Sequence, residues 1–104
     1  MRNKSICIDI DDTICNSSED YSKCRPKPGA IEALTRLKQD GNFIILHTGR
    51  HINHAKITIE WLREWFIPFD HVMFNKPPAE LYVDDKGYKF EGWAKFNEDM
   101  EGRA

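Results

Sequence analysis

Two short apolar runs stand out in the first half of the chain. Residues 5–10, SICIDI, end among acidic residues, and residues 43–47, FIILH, lead into a Thr-Gly-Arg turn. Their length and continuous apolar character predict buried β-strands.

Between and after these runs, apolar residues recur at the three- and four-residue spacing of an amphipathic helix. In residues 28–41 the stripe is Ile31, Leu34 and Leu37, between a proline that suits the first helical turn and a glycine that ends the helix. The second stripe consists of Ile52, Ala55, Ile59, Leu62 and Phe66. We expect one helix in each segment and a third, shorter helix in residues 92–100.

Residues 71–74 and 81–83 are further apolar runs and predict two more strands. Strands that alternate with helices form parallel sheets, because right-handed crossovers return the chain to the same end of the sheet. We therefore predict an α/β fold with a small parallel sheet. Residues 14–27 are polar without a helical period, and predict a loop or a small hairpin.

The predicted strand exits carry most of the candidate chemistry. Residues 9–13, residues 48–50, Lys76 and residues 84–85 each follow an apolar run. The carboxyl ends of parallel strands meet at one edge of the sheet, where sites form in folds of this kind. We expect the four polar clusters to converge there.

Composition narrows the range of partners. The chain has 104 residues, enough for one domain over residues 1–104, and its formal net charge is −2. It has no basic tract that would attract nucleic acid or an anionic membrane, and its start fits neither a signal peptide nor a membrane span. We expect a cytoplasmic protein in which Cys7, Cys15 and Cys24 are reduced thiols, since their spacing matches no zinc pattern.

Four motifs resemble those of the haloacid dehalogenase (HAD) superfamily. Residues 9–13, DIDDT, resemble its DxDxT signature, and Thr48, Lys76 and residues 84–85 resemble its second, third and fourth motifs in the same order. The resemblance implies a three-layer Rossmann-like fold and a magnesium-dependent phosphatase. A large cap domain is absent, because only residues 14–27 are available as a flap-like loop.

The resemblance also implies a catalytic role for each motif. Asp9 would be the nucleophile that forms an aspartyl phosphate, and Asp11 the general acid and then the general base. Thr48 would hold phosphate oxygens, and Lys76 would neutralise charge on the transferring group. Such a set suits phosphate monoesters, whose hydrolysis needs up to ~10²¹-fold acceleration.

Clustered carboxylates repel one another unless a hard cation such as Mg²⁺ binds among them. The resemblance implies that Mg²⁺ lies between Asp9, the backbone carbonyl of Asp11 and the acidic pair Asp84 and Asp85, with the choice within the pair left open. Substrate binding is assigned to Asp12, Thr13, Gly49 and Arg50. For Arg50 a solvated position at a helix start is an equal alternative, and Asp12 stands where many family members have glycine.

The tail FNKPPAELYVDDKGYKF resembles that of small capless members linked to capsule or other surface-polysaccharide biosynthesis. This likeness implies a small phosphorylated substrate such as a sugar phosphate. The open site could also be closed by another subunit, so we expect a homo-oligomer. Nucleic acid is disfavoured, since the chain has no basic tract or aromatic platform for a strand.

Two other interpretations remain open from the sequence. A receiver-like signalling domain also accepts phosphate on an aspartate, but such domains place that aspartate at a later strand and their lysine near the chain's end. A non-catalytic HAD-like binding module would keep the fold without turnover. Each motif taken alone also has an ordinary explanation, since an aspartate at a strand exit is commonly a cap or a turn residue.

Overall fold

The computed structural model describes residues 1–103, which form a three-stranded sheet and three α-helices. The strands are β1 (Ser5–Asp9), β2 (Phe43–His47) and β3 (His71–Met73), and the helices are α1 (Ala30–Gln39), α2 (Ala55–Glu64) and α3 (Trp93–Glu101). Short 3-10 turns occupy Tyr21–Lys23 and Ile52–His54. The helices and the first three strands predicted from the apolar pattern are confirmed.

The sheet is parallel throughout, with strand order β1-β2-β3. Asp9 lies opposite His47 on β2, and His47 in turn lies opposite Met73 on β3. Because the three strands run in one direction, their carboxyl ends lie at the same edge. The register therefore places Asp9 beside the turn that follows β2.

The helices pack against one face of the sheet. Ile8, Ile44 and Leu46 point to this face and are at most 6% exposed. They share one apolar cluster with buried side chains from all three helices, among them Leu34, Trp61, Trp93 and Phe96. Removal of this surface from water is the main stabilising term, at roughly 25 cal/mol per Å² of apolar area.

The opposite face of the sheet carries Phe43 and Met73, which are 48% and 47% exposed. The connections from β1 to β2 and from β2 to β3 both step in the same direction across the sheet. Because such connections are right-handed, α1 and α2 lie on the same face of the sheet. α3 packs on α1 and joins the same apolar cluster. The α/β, Rossmann-like class with a small parallel sheet is confirmed.

The bounds of α1 follow from glycines at its two ends. Gly29 precedes the helix with φ of 84°, and Gly41 follows it with φ of 83°. Both values lie in the left-handed region that side chains with a Cβ rarely adopt. A Cβ on Gly41 would also collide with the side chain of Asn3. The chain can therefore turn from α1 directly into β2.

Residues 14–27 form a compact flap loop over the end of β1. Cys15 makes an antiparallel bridge to Pro26, as predicted for a small hairpin, and Cys24 within the loop is buried. The indole Nε1 of Trp61 on α2 donates to the Cys24 carbonyl at 2.8 Å. None of the helices within residues 1–103 has the length and apolarity to cross a membrane.

Residues 81–83 do not form the strand that their apolar character predicts. Leu81 and Val83 are 76% and 86% exposed, and the segment has no regular secondary structure. Tyr82 turns back on its own segment, where its hydroxyl donates to the Pro77 carbonyl. A strand needs a partner for its backbone, and these residues pair with none of the three strands. The predicted strand is therefore wrong for this structure, and β1 stays an edge strand.

Asp70 ties the start of β3 to β2 and α1. Its carboxylate accepts hydrogen bonds from Lys38 Nζ at 2.7 Å and from the Ile44 backbone N–H at 2.8 Å. The hydrogen bond from Lys38, followed by that from Ile44, lowers the pKa of Asp70. A carboxyl group with a lowered pKa stabilises the fold above its unfolded-state pKa, and this contribution is lost as the pH falls through the folded-state pKa.

We expect Asp70→Asn to lower the free energy of unfolding by roughly 1 kcal/mol at neutral pH, since the variant loses the charge of a partly exposed pair. The difference from the native protein should begin to shrink as the pH falls below about 4, the ordinary pKa of an aspartate, and should vanish below the lowered pKa of folded Asp70, where the native carboxyl is protonated as well. Urea unfolding of both proteins at a series of pH values measures this. A difference that stays constant down to the lowest pH would contradict the assigned role of the charge.

Candidate active site

Asp9 ends β1 at the carboxyl edge of the sheet. Its side chain is 37% exposed, and its Oδ1 lies 3.9 Å from the Nζ of Lys76. Burial raises the pKa of Asp9, and the charge of Lys76 and the Ile10 backbone N–H oppose that shift. The carboxylate is therefore partly desolvated, beside a cation, and still accessible from solvent.

Lys76 is held between two strand exits by backbone hydrogen bonds. Its N–H donates to the Thr48 carbonyl at 2.9 Å, and the neighbouring Asn75 N–H donates to the Arg50 carbonyl at 3.0 Å. The Lys76 ammonium also lies 4.3 Å from the centroid of the Tyr82 ring, which is a cation–π contact. These contacts bring Lys76 to Asp9, as predicted from its position after β3.

Asp11 pairs with Arg50 through two parallel hydrogen bonds. Arg50 Nε donates to Asp11 Oδ2 at 3.0 Å, and Nη2 donates to Oδ1 at 2.8 Å. The Arg50 side chain is 1% exposed, whereas that of Asp11 is 29% exposed. Burial alone would lower the pKa of Arg50, but the hydrogen bonds and charge of Asp11 outweigh it and raise that pKa. The pair is a charged fork with one side facing solvent.

The other donors of Arg50 are also bound by the protein. Nη1 donates to Thr58 Oγ1 at 3.1 Å, and Nη2 donates to Cys24 Sγ at 3.7 Å. The Arg50 Cζ also lies over the Tyr21 ring, 3.8 Å from the ring centroid, in a cation–π contact. Every guanidinium nitrogen has a protein partner. The buried side chain is therefore not the solvated helix start that was the alternative interpretation, and a direct contact of Arg50 with substrate stays a prediction.

The turn after Asp11 depends on an unusual backbone at Asp12. Its φ is 64°, in the left-handed region that glycine adopts most easily. This backbone conformation explains why many members of the HAD superfamily have glycine at this position. The Asp12 carboxylate accepts from the Ser17 N–H at 3.3 Å, and its carbonyl accepts from Lys27 Nζ at 2.8 Å. Both contacts bind the turn to the flap loop. Contact of Asp12 with a substrate stays a prediction.

Thr13 fixes the same turn to the C-terminal helix. Its N–H donates to the Ile10 carbonyl at 3.2 Å, and its carbonyl accepts from Trp93 Nε1 at 2.9 Å. These backbone contacts hold the turn after Asp11 in place. A direct substrate contact of Thr13 stays a prediction.

Thr48 and Gly49 form the turn after β2. Thr48 is fully buried, and its Oγ1 accepts from the Arg50 N–H at 3.1 Å. Gly49 is exposed, and a Cβ there would lie 3.7 Å from the Lys76 carbonyl, so its backbone passes close to the lysine. The Thr48 hydroxyl thus stabilises the turn in this structure, and its contact with phosphate stays a prediction.

The predicted magnesium ligands are not assembled in this structure. Asp84 and Asp85 are exposed, and Asp84 Oδ1 accepts from the Lys86 N–H at 2.7 Å in a local turn. Within the described part of the chain, they form no group with Asp9 or Asp11 in which three ligand atoms lie within 4.8 Å of one another. The donor chemistry fits Mg²⁺, since all the predicted ligands are oxygens, but the acidic pair is not clustered with the rest.

Asp11, Cys15 and Cys24 do bring three ligand atoms within 4.8 Å of one another. The Arg50 guanidinium already contacts Asp11 and Cys24 in this cluster. Burial, together with the neighbouring Cys24, raises the pKa of the Cys15 thiol to about 12, so that its thiolate is scarce at neutral pH. The cation of this cluster is Arg50, and the cluster is not a metal site in this arrangement.

Solved structures share this fold at low sequence identity. The crystal structure of a target protein from Vibrio cholerae matches with a TM-score of 0.73 and 24% identity, over 89% of this chain and 86% of that chain. A chain of the Pnkp1/Rnl/Hen1 RNA repair complex matches with a TM-score of 0.62 and 20% identity, over 98% of this chain and 32% of that chain.

A third similar structure is the D,D-heptose 1.7-bisphosphate phosphatase of B. bronchiseptica, solved with magnesium and phosphate. Its TM-score is 0.57 at 17% identity, over 74% of this chain and 52% of that chain. No match was found among curated protein sequences. The family model of haloacid dehalogenase-like hydrolases matches residues 6–71, more than half of the chain, including Asp9, Asp11 and Thr48. The chain therefore belongs to the haloacid dehalogenase-like hydrolases.

Proposed function

We propose that this protein is a magnesium-dependent phosphatase that hydrolyses a phosphate monoester through an aspartyl phosphate on Asp9. The observation that carries the proposal is the position of Asp9, half-buried at a strand exit with Lys76 Nζ 3.9 Å from its carboxylate. Membership of the hydrolase family and the likeness to a phosphatase structure support it.

In the proposed first step, an Asp9 oxygen attacks phosphorus and the bond to the leaving oxygen breaks. Partial burial weakens the hydration of the Asp9 carboxylate and raises its pKa, and the charge of Lys76 opposes that rise. Lys76 also offsets the negative charge of the incoming phosphate. Asp11, two residues further on, protonates the leaving oxygen and later accepts a proton from the water that attacks the phospho-enzyme.

Mg²⁺ would be held by Asp9, by the backbone carbonyl of Asp11 and by Asp84 or Asp85. When bound, it would neutralise charge shared between the carboxylates and the phosphate. Assembly of this site requires residues 84–85 to join Asp9. Two features support such a rearrangement: β1 is an edge strand, and the apolar residues 81–83 that precede the acidic pair are exposed and pair with none of the three strands.

The proposed substrate is a small phosphorylated molecule, with a sugar phosphate as the first choice. Tyr21 and Cys24 of the flap loop both contact Arg50, which places this loop beside Asp11. The B. bronchiseptica neighbour acts on a heptose bisphosphate, which supports this choice of substrate class. Closure of the site by a second copy of the chain stays a prediction.

We expect Mg²⁺-dependent hydrolysis of p-nitrophenyl phosphate by the native protein, and a loss of roughly 10³-fold or more in Asp9→Asn, because the amide is a poor nucleophile. Release of p-nitrophenol measures this, with and without a chelator. Asp70→Asn is the matched control, since it makes the same chemical change at a structural carboxylate and should keep the activity.

The outcomes separate the candidate functions. A receiver-like domain would take up one phosphate from a small donor and then stop, and a binding module would not react in either form. Turnover that persists in Asp9→Asn would contradict the assignment of the nucleophile.

We expect Lys76→Met to raise the pKa of Asp9 further, because the variant removes the cation that opposes the effect of burial. Carbon NMR titration of the Asp9 carboxyl, without metal, measures this shift. Lys56→Met, which changes an exposed lysine on α2, serves as control and should leave the titration unchanged. An Asp9 pKa that stays constant or falls in Lys76→Met would show that the lysine does not act on this carboxylate.

A further inference from the structure

The Arg50 guanidinium is held rigidly beside the proposed active site. It is bonded to Asp11 after β1, to Cys24 in the flap loop and to Thr58 on α2, and its face is covered by Tyr21. A buried guanidinium with partners on three segments cannot move without breaking several charge-assisted contacts. Its position is therefore set by the fold.

The two parallel hydrogen bonds from Arg50 also hold the Asp11 carboxylate rigidly. Both carboxylate oxygens of Asp11 accept a hydrogen bond from the same planar group, at 3.0 and 2.8 Å. Two parallel bonds fix the plane of the carboxylate as well as its position, which a single bond from a lysine ammonium would not do. The Asp11 side chain still has 29% of its surface exposed, so a water molecule can reach it.

The two half-reactions demand different behaviour from Asp11. Breakage of the substrate ester requires Asp11 to donate a proton, and hydrolysis of the phospho-enzyme requires it to accept one. In the fork, both oxygens already act as acceptors and face donors on Arg50. The fork thus holds Asp11 as a carboxylate, which is the form that the accepting role needs at its start.

We propose that Arg50 is a positioning residue that holds Asp11 as the proton acceptor for the second half-reaction, hydrolysis of the aspartyl phosphate. In that step the water oxygen forms a bond to phosphorus, the bond from phosphorus to the Asp9 oxygen breaks, and the water proton passes to Asp11. Inorganic phosphate leaves, and Asp9 regains its carboxylate. This inference rests on the proposed phosphatase function and adds a residue that acts only through Asp11.

The test is the transient and steady-state kinetics of Arg50→Lys with p-nitrophenyl phosphate and Mg²⁺. The variant keeps the charge and loses the fork, so the second step should slow while the first proceeds. We expect kcat to fall at least about tenfold and KM to fall in proportion, with kcat/KM within about twofold of the native value. A burst of about one p-nitrophenol per active site should precede the slow phase.

Two further variants separate positioning from general stability. Thr58→Val removes a contact of Arg50 on α2 but leaves the fork to Asp11, and should lower the melting temperature without a burst. Arg63→Lys, an exposed arginine on the same helix, controls for the substitution itself and should behave as the native protein. If Arg50→Lys does not fold, Arg50→Gln replaces it, because the shorter amide cannot form the fork to Asp11, and kcat and KM should fall together.

A fall in kcat/KM that matches the fall in kcat, with no burst, would overturn the proposal, since the defect would then lie in the first half-reaction. An Arg50→Lys effect of equal size in an Asp11→Asn background would also overturn it, because Arg50 would not act through Asp11. Absence of Asp9-dependent turnover in the native protein would instead refute the proposed function, and this inference with it.

Discussion

A guanidinium buried in a protein interior is tolerated only when its donors are bonded and its charge is matched, and the pair of Arg50 with Asp11 meets this requirement here. The pair joins the turn after β1 to the turn after β2, and Tyr21 and Cys24 add the flap loop to the same centre. Removal of Asp11 would leave the charge of Arg50 buried without compensation. The shape of the sheet edge next to Asp9 therefore depends on this one interaction.

Much of the fold follows from the periodicity of the sequence. The apolar runs predicted β1, β2 and β3, and the helical stripes predicted α1 and α2, because these elements bury side chains at the spacing of their own geometry. The position of Lys76 beside Asp9 was likewise predictable, since both residues follow parallel strands. The family match over residues 6–71 confirms the superfamily that the motifs indicated.

Two features could not be predicted from the pattern, for physical reasons. The burial of Arg50 depends on partners from distant segments, Asp11 and Thr58, and no local periodicity reports on such contacts. Residues 81–83 are exposed because a distant contact is missing: their composition favours a strand, but a strand forms only when another strand pairs with it. The missing pairing also leaves Asp84 in a local turn instead of beside Asp9.

The central claim is that Asp9 carries the phosphoryl group during turnover. Borohydride reduction of the protein while it hydrolyses substrate, followed by mass spectrometry of the peptide that contains residue 9, tests this most directly. The account predicts reduction of the acyl phosphate, with homoserine at position 9 and no such change at Asp11 or Asp84. Continued turnover with an unmodified residue 9, or modification at another aspartate, would contradict it.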